Sequence, residues 1–451
     1  MGEPQRMPLF QKGLNNAFFF ATFNALSFQV VLGSPMVLYA KSLGASATVL
    51  GIISGMMPLL VIFQIPAANY IPRMGYKRFV YGGWGIRVLL IFVLSLVPLL
   101  WRVLTPMTQL ALVLFLLFGF NLSRGISSAA WLPWITSLVP ASIRGKYLAT
   151  EAGFVNLASG ATFLIAAAVL GDAPNAVDFA ILFAFSGVAG AISLSFLKRI
   201  PDVQPAQEAA GSTHPVPWGT LIRYAPFLKL LKMNVAWSFA YGGIGAFSVA
   251  YLKVMAGMPE GKILYISSAF FLGGLLSLAF GNRMDKLGSK PVMTFSCILW
   301  CGLILFWAGL AGKTIVPSLG VVLVLHFGMG LAVALFNMAN VRLAMGIAPE
   351  MGRNHFFAVF SVVANLTLGL APICWGLLID IFRDLQIEWG YFELNRYSLF
   401  FCGAGIMFLL TWWKIRQLEE PSAGKVQELV HQILIEGPQR VVNRLWSRFT
   451  Q

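Results

Sequence analysis

Residues Gly281 to Lys290 read GNRMDKLGSK, which sets Gly281, Asp285, Lys286, Gly288 and Lys290 at the spacing G-x-x-x-D-K-x-G-x-K. The stretches on either side are apolar enough to be membrane helices, so this decapeptide reads as a short charged loop at a membrane surface. A degraded copy, ANYIPRMGYKR from Ala68 to Arg78, lies in the first half of the chain. Two copies of one loop raise the expectation of two copies of one helical bundle.

Composition supports the membrane reading. Of 451 residues, 58% are hydrophobic and 11% charged, and the mean hydropathy is +0.77, well beyond soluble domains. A helix crosses the ~30 Å hydrocarbon core with about 20 apolar residues. Twelve such spans are predicted: 13–40, 49–71, 79–101, 107–139, 148–171 and 180–196, then 233–251, 264–281, 291–310, 316–347, 355–381 and 399–413. The fold class is therefore all-α and polytopic, as two six-helix bundles. The expected units are a first bundle over 1–197, a Pro-rich linker over 198–226, a second bundle over 227–417 and a tail over 418–451.

The net charge of +15 falls in short clusters between spans, which argues for lipid headgroups and against nucleic acid. Arg73, Lys77, Arg78, Arg144, Lys146, Lys198, Arg199, Arg283, Lys286 and Lys290 share one side, while Asp172, Asp178, Glu260, Asp380, Asp384, Glu388 and Glu393 lie on the other. The basic side, with the linker and both termini, is expected to be cytoplasmic. The first span is expected to be retained, since no small-residue cleavage site follows it. Cys297, Cys301, Cys374 and Cys402 all fall in spans without metal-ligand spacing and read as buried apolar residues. In the tail, Lys425 to Glu436 is amphipathic, and Arg440, Arg444 and Arg448 form one stripe beside Val441, Leu445 and Phe449. This is the pattern of a basic interfacial helix on anionic inner-leaflet lipid.

The repeat extends past the loop. Pro140, Arg144 and Tyr147 recur as Pro349, Arg353 and Phe356, an offset of 209, which Asn156/Asn365 and Gly160/Gly369 share. Gly75 and Gly288 recur at 213. Ordered matches at equal topological positions mean duplicated bundles.

From about Asn16 to Trp413 the chain resembles the major facilitator superfamily of secondary transporters, most specifically in GNRMDKLGSK and its first-half copy. The resemblance implies two six-helix halves around a central cavity open alternately to each side. It also implies that Asp285 caps the start of the fifth span near Arg144 in one state. In the first copy Pro72 stands where the acidic residue is expected and Ala68 where the first glycine is, which weakens a latch there. Gly281, Gly288, Arg73, Arg353, Asp285, Arg144 and Glu151 are the expected gating or coupling residues, with Glu151 drawn toward Arg87 or Arg144. Gly288 and Gly75 supply backbone freedom for the loop.

Ionisable groups inside a span are functional candidates by default. Arg124 is one, with Ser127, Ser128 and Trp131 on its helix face. It could bind an anionic or polar substrate group, or simply hydrogen-bond within the bundle. His326, near the far end of the tenth span, reads as interfacial or proton-binding. Asn24, Asn121, Asn156, Asn337 and Asn365 supply amides, and Trp237 and Tyr241 share a face of the seventh span with Asn234. Together with Arg124 and Trp131 these are the expected substrate-binding residues. Gly242, Gly243, Gly245, Gly273 and Gly274 read as packing positions. No nucleophile–base pair, metal cluster or cofactor motif is present in the sequence. The expected function is alternating-access transport of a small anionic or neutral polar organic solute by a monomer in the plasma or bacterial inner membrane, with protons the candidate coupling ion. The alternative is a non-transporting membrane assembly or signalling protein of the same fold.

Overall fold

The computed structural model describes residues 13–139, 144–203, 224–280, 288–347 and 353–420. Helices dominate because, in hydrocarbon, each backbone N–H and C=O must be satisfied within its own segment. The first half holds α1 (Asn15–Leu32), α2 (Ser34–Ser42), α3 (Ala47–Leu60), α4 (Gln64–Ala68), α5 (Ile71–Met74), α6 (Tyr76–Leu96), α7 (Pro106–Leu138), α8 (Arg144–Leu170) and α9 (Ala176–Leu197). The second holds α10 (Ala225–Tyr241), α11 (Ile244–Val254), α12 (Glu260–Ser277), α13 (Ser289–Ala311), α14 (Leu319–Ile347), α15 (Arg353–Ile381) and α16 (Arg396–Arg416). Between the last two helices lies a hairpin of β1 (Gln386–Trp389) and β2 (Phe392–Asn395), paired Gln386 to Asn395 and Trp389 to Phe392.

Among the described residues, 11 helices are long and apolar enough to cross a membrane. Helix α12 completes the expected twelve. Its first turn carries Glu260 and Lys262, and Glu260 is buried against Lys253 at 2.6 Å. Most spans start where the sequence predicts, but the seventh begins earlier, at Ala225, and breaks at Gly242–Gly243. Side-chain caps mark several starts. Ser46 accepts from Val49 N, Thr105 from Thr108 N, and Asn175 and Asn395 form capping boxes.

The duplication is visible in the backbone. Gly75 and Gly288, both at positive φ (78° and 89°), precede the third and ninth spans. The 209-residue offset also relates two helix breaks, Gly33 in the first span and Gly242 in the seventh. It relates two aromatic pairs as well: Phe18 packs on Tyr147 with centroids 4.9 Å apart, and Phe227 on Phe356 at 4.3 Å.

The two bundles meet along two seams, α3 with α15 and α8 with α12, while α2 packs on α11. Small residues bring the helices into backbone contact, which is where membrane helices gain dispersion energy. A Cβ at Gly51 would strike the Pro372 carbonyl, and one at Gly376 the Ala47 carbonyl. On the other seam, Gly261 N–H donates to Gly171 O at 2.7 Å.

Candidate functional site

A cavity of about 350 Å³ lies between the bundles. From the first bundle it is walled by Gln29, Gly33, Ser34 and Val37 beside one helix break, by Ser54 and Pro58, and by Phe163. The second bundle contributes Tyr241, Gly242, Gly243 and Gly245 at the other break, with Ser248, Ser267, Phe270, Phe271, His326 and Pro372. Gly243 has φ 87°, a left-handed conformation that glycine adopts without a Cβ penalty. The turn ends α10 and redirects the chain into α11, so the break itself forms part of the wall. Among the described residues, no charged side chain lines the cavity.

Toward one end of this cavity, a side chain bridges the two bundles. Asp380, at the end of α15, accepts hydrogen bonds from Ala47 N (3.0 Å), Thr48 N (2.7 Å) and Thr48 Oγ1 (2.6 Å) at the start of α3. A carboxylate there meets the free N–H groups and the positive dipole end of a helix belonging to the other bundle. The contact lies at the same end as Gly261–Gly171 and the α2–α11 packing. At the opposite, basic end, Glu420 accepts from Ser289 N and Lys290 N at 2.7–3.0 Å, and Lys290 Nζ donates to Leu418 O at 2.7 Å. That second carboxylate cap stays within one bundle.

The residues singled out from sequence fall in different places. Tyr241 lines the cavity. Asn365 lies in a smaller crevice along the α3–α15 seam and donates to Ser361 O at 2.8 Å. Its repeat partner Asn156 donates to Ala152 O at 2.9 Å, and a Cβ on Gly274 would lie 2.8 Å from its Oδ1. Trp237 is buried in an aromatic core with Phe336, Trp300 and Phe408. Asn24 accepts from Trp84 Nε1 at 3.1 Å, and Trp131 packs on Phe20 at 4.8 Å. Asn121 is buried and donates to Leu117 O at 2.9 Å, whereas Asn337 is exposed. Arg124 and Glu151 are half-buried and outside the cavity wall.

Arg87 is 3% exposed, with its guanidinium carbon 4.7 Å from the ring centroids of both Trp84 and Phe120. It has rings rather than Glu151 for neighbours, and its Nε and Nη1 have no hydrogen-bond partner. Arg73 is exposed and Gly288 starts α13. Gly281 and Asp285 lie outside the described residues, as do the side chains of Arg144 and Arg353 and the tail after Glu420.

The cavity serines, His326 in its wall and the Asp380 contact were not assigned these roles from sequence. The available signal was Gly33-Ser34-Pro35 and Gly242-Gly243 at one repeat offset, which marks paired breaks facing a shared space. Gly242, Gly243 and Gly245, expected as packing positions, line that space.

The fold and cavity define a two-bundle membrane protein with a small-molecule-sized chamber between its halves. Residues 256–449 match the family model of the Major Facilitator Superfamily. A crystal structure of a mutant of the nucleoside transporter NupG aligns over 91% of this chain and 100% of its own, with TM-score 0.68 and 13% identity. The D-xylose-proton symporter aligns over 92% and 100%, with TM-score 0.68 and 14% identity. Organic anion transporter 3 of Mus musculus is 22% identical over 154 residues, 34% of this chain and 25% of its own length. The chain thus spans about a quarter of that curated relative. The chain is thus similar to this family over residues 256–449, and it shares the fold of these solved transporters over about nine-tenths of its length.

Proposed function

We propose that the protein is a secondary active transporter that moves a small organic solute through the cavity between its bundles by alternating access. The observation that carries this reading is the cavity itself, walled by residues of both bundles at two paired helix breaks and bridged toward one end by an inter-bundle contact. Discontinuous helices at a repeat interface are where such proteins hold substrate. A bundle that only scaffolded other proteins would gain dispersion energy by filling this space. On this reading the basic end faces the cytoplasm, and the structure is the state closed on the opposite side.

The charge of the solute has two readings. Arg124 and its neighbour Arg87 favour an anion, as does the similarity to an organic anion transporter. The uncharged cavity wall favours a neutral polar solute.

The test is a lock. Asp380→Cys with Thr48→Cys places two thiols where side chains now touch, and oxidation should tie the bundles together at that end. Uptake by proteoliposomes should stop on oxidation and return with reductant. Undiminished flux through fully crosslinked protein would reject alternating access at this seam.

A further inference from the structure

Three of the hydroxyls in the cavity wall donate to their own backbone and so turn acceptors toward the cavity. Ser54 Oγ donates to Leu50 O at 3.0 Å, Ser248 Oγ to Gly245 O at 3.2 Å and Ser267 Oγ to Ile263 O at 2.7 Å. Each hydroxyl proton is turned back into its own helix, and the lone pairs are left to the cavity. Gln29 Nε2 donates one of its two protons to Ser159 Oγ at 3.0 Å, which leaves Oε1 and one N–H, and Ser34 in the same wall adds a hydroxyl.

His326 is the most constrained of these groups. Its Nδ1 lies 2.9 Å from Val322 O, and a carbonyl can only accept, so Nδ1 carries the proton. Nε2 is then an acceptor in the neutral ring. The ring is 4% exposed and edge-on to Trp307 at 5.7 Å, so it cannot swing freely. The Trp307 indole N–H is spent on Met329 Sδ at 3.3 Å. Among the described residues, no Asp, Glu, Lys or Arg side chain lines the cavity around it.

We infer that the cavity selects uncharged solutes rich in O–H or N–H donors, such as polyols, sugars or heterocycles bearing N–H groups, and that His326 Nε2 is a specificity-determining acceptor. A carboxylate or phosphate would face serine and imidazole lone pairs, with only the neutral donors of Ser34, Gln29 and Tyr241 to meet it, and would be desolvated with no cation among the described wall residues. An ammonium would likewise lack a carboxylate. Either ion costs several kcal/mol to bury unpaired, whereas a neutral donor replaces its water bonds one for one. The volume, about 350 Å³, is at the lower end of the ~300–1,000 Å³ of small-molecule sites. This inference rests on the cavity being the substrate site proposed above.

The experiment separates the two readings by measuring binding and flux independently. Purified full-length protein in detergent is titrated with matched probes that differ in one group: sorbitol against gluconate, glucose against glucuronate, benzyl alcohol against benzoate and against benzylamine. The same probes are then offered to proteoliposomes. Neutral members should bind at least about tenfold more tightly than their ionic partners, the worth of one hydrogen bond at ~1.4 kcal/mol. His326→Phe should remove most of that binding and His326→Gln should keep part of it, with unchanged thermal unfolding of the Gln variant as the folding control. Selective binding or flux of the ionic members overturns the inference, and so does equal neutral binding in the wild type and both His326 variants. Failure of all members to bind also overturns it. Selective neutral binding without flux upholds the cavity chemistry and counts against transport instead.

Discussion

The third and ninth spans occupy equivalent places in the two bundles, and one pair of equivalent positions carries very different side chains. Arg87 follows Gly75 by the same interval as Trp300 follows Gly288, so the 213-residue offset places a cation in one bundle where the other has an indole. Both are buried among aromatic rings. Arg87 lies between Trp84 and Phe120, while Trp300 stacks on Phe408 at 5.0 Å and meets Tyr241 edge-on at 5.7 Å. Both also have N–H groups without acceptors. The repeat keeps the backbone position and the aromatic surroundings but not the electrostatics. The second bundle uses the position to brace Tyr241 in the cavity wall. The first uses it to hold a charge beside Arg124, away from the cavity.

The comparison breaks most sharply under truncation. Trp300→Ala should cost about 3–5 kcal/mol, as large buried aromatics do, and should loosen Tyr241 and weaken solute binding, read by thermal unfolding and titration. Arg87→Met keeps the volume but removes an unpartnered buried cation, so it should leave stability unchanged or raise it by about 1 kcal/mol or more. Equal destabilisation by the two would mean that Arg87 has an unseen partner and that the bundles are braced alike.

A smaller effect is expected at the seventh-span break. Gly243→Ala forces an L-residue to φ 87°, at a cost of roughly 1–2 kcal/mol, and it also crowds Phe247. Solute affinity should fall with stability, because the strained turn is itself cavity wall. If unfolding shifts and affinity does not, the break is only a packing device.

The smallest effect lies at the hairpin. Lys313 bonds to Glu393 and holds its carboxyl below the usual glutamate range of about 4.3, with Asn395 adding a second donor. A depressed pKa stabilises the fold above the unfolded value, and the contribution is lost as pH falls through the folded one. Glu393→Gln should therefore lower the unfolding temperature slightly at pH 7, and the difference should shrink as pH falls below the unfolded value. A gap that stayed constant with falling pH would assign the effect to packing rather than charge.

Much of this molecule was legible before any coordinates. Apolar runs of about 20 residues, the doubled loop and the ordered matches of Gly75 with Gly288 and Asn156 with Asn365 determined the all-α fold and its internal symmetry, because hydrocarbon leaves the backbone few choices. The side chains around the cavity were not legible. The membrane makes almost every helix face apolar, so hydropathy cannot say which face meets lipid, neighbour or cavity. Trp237 and Tyr241 share a helical face, yet one is core and the other cavity wall. Asp380 reads in sequence as one of several acids near a loop, and only the approach of α15 to α3 makes it the cap of a helix in the other bundle. GNRMDKLGSK and its first-half copy thus pointed from sequence to two bundles. Which contacts join them, and which face of each helix meets the cavity, was decided by tertiary packing, because those depend on neighbours hundreds of residues away or on faces that sequence leaves equivalent.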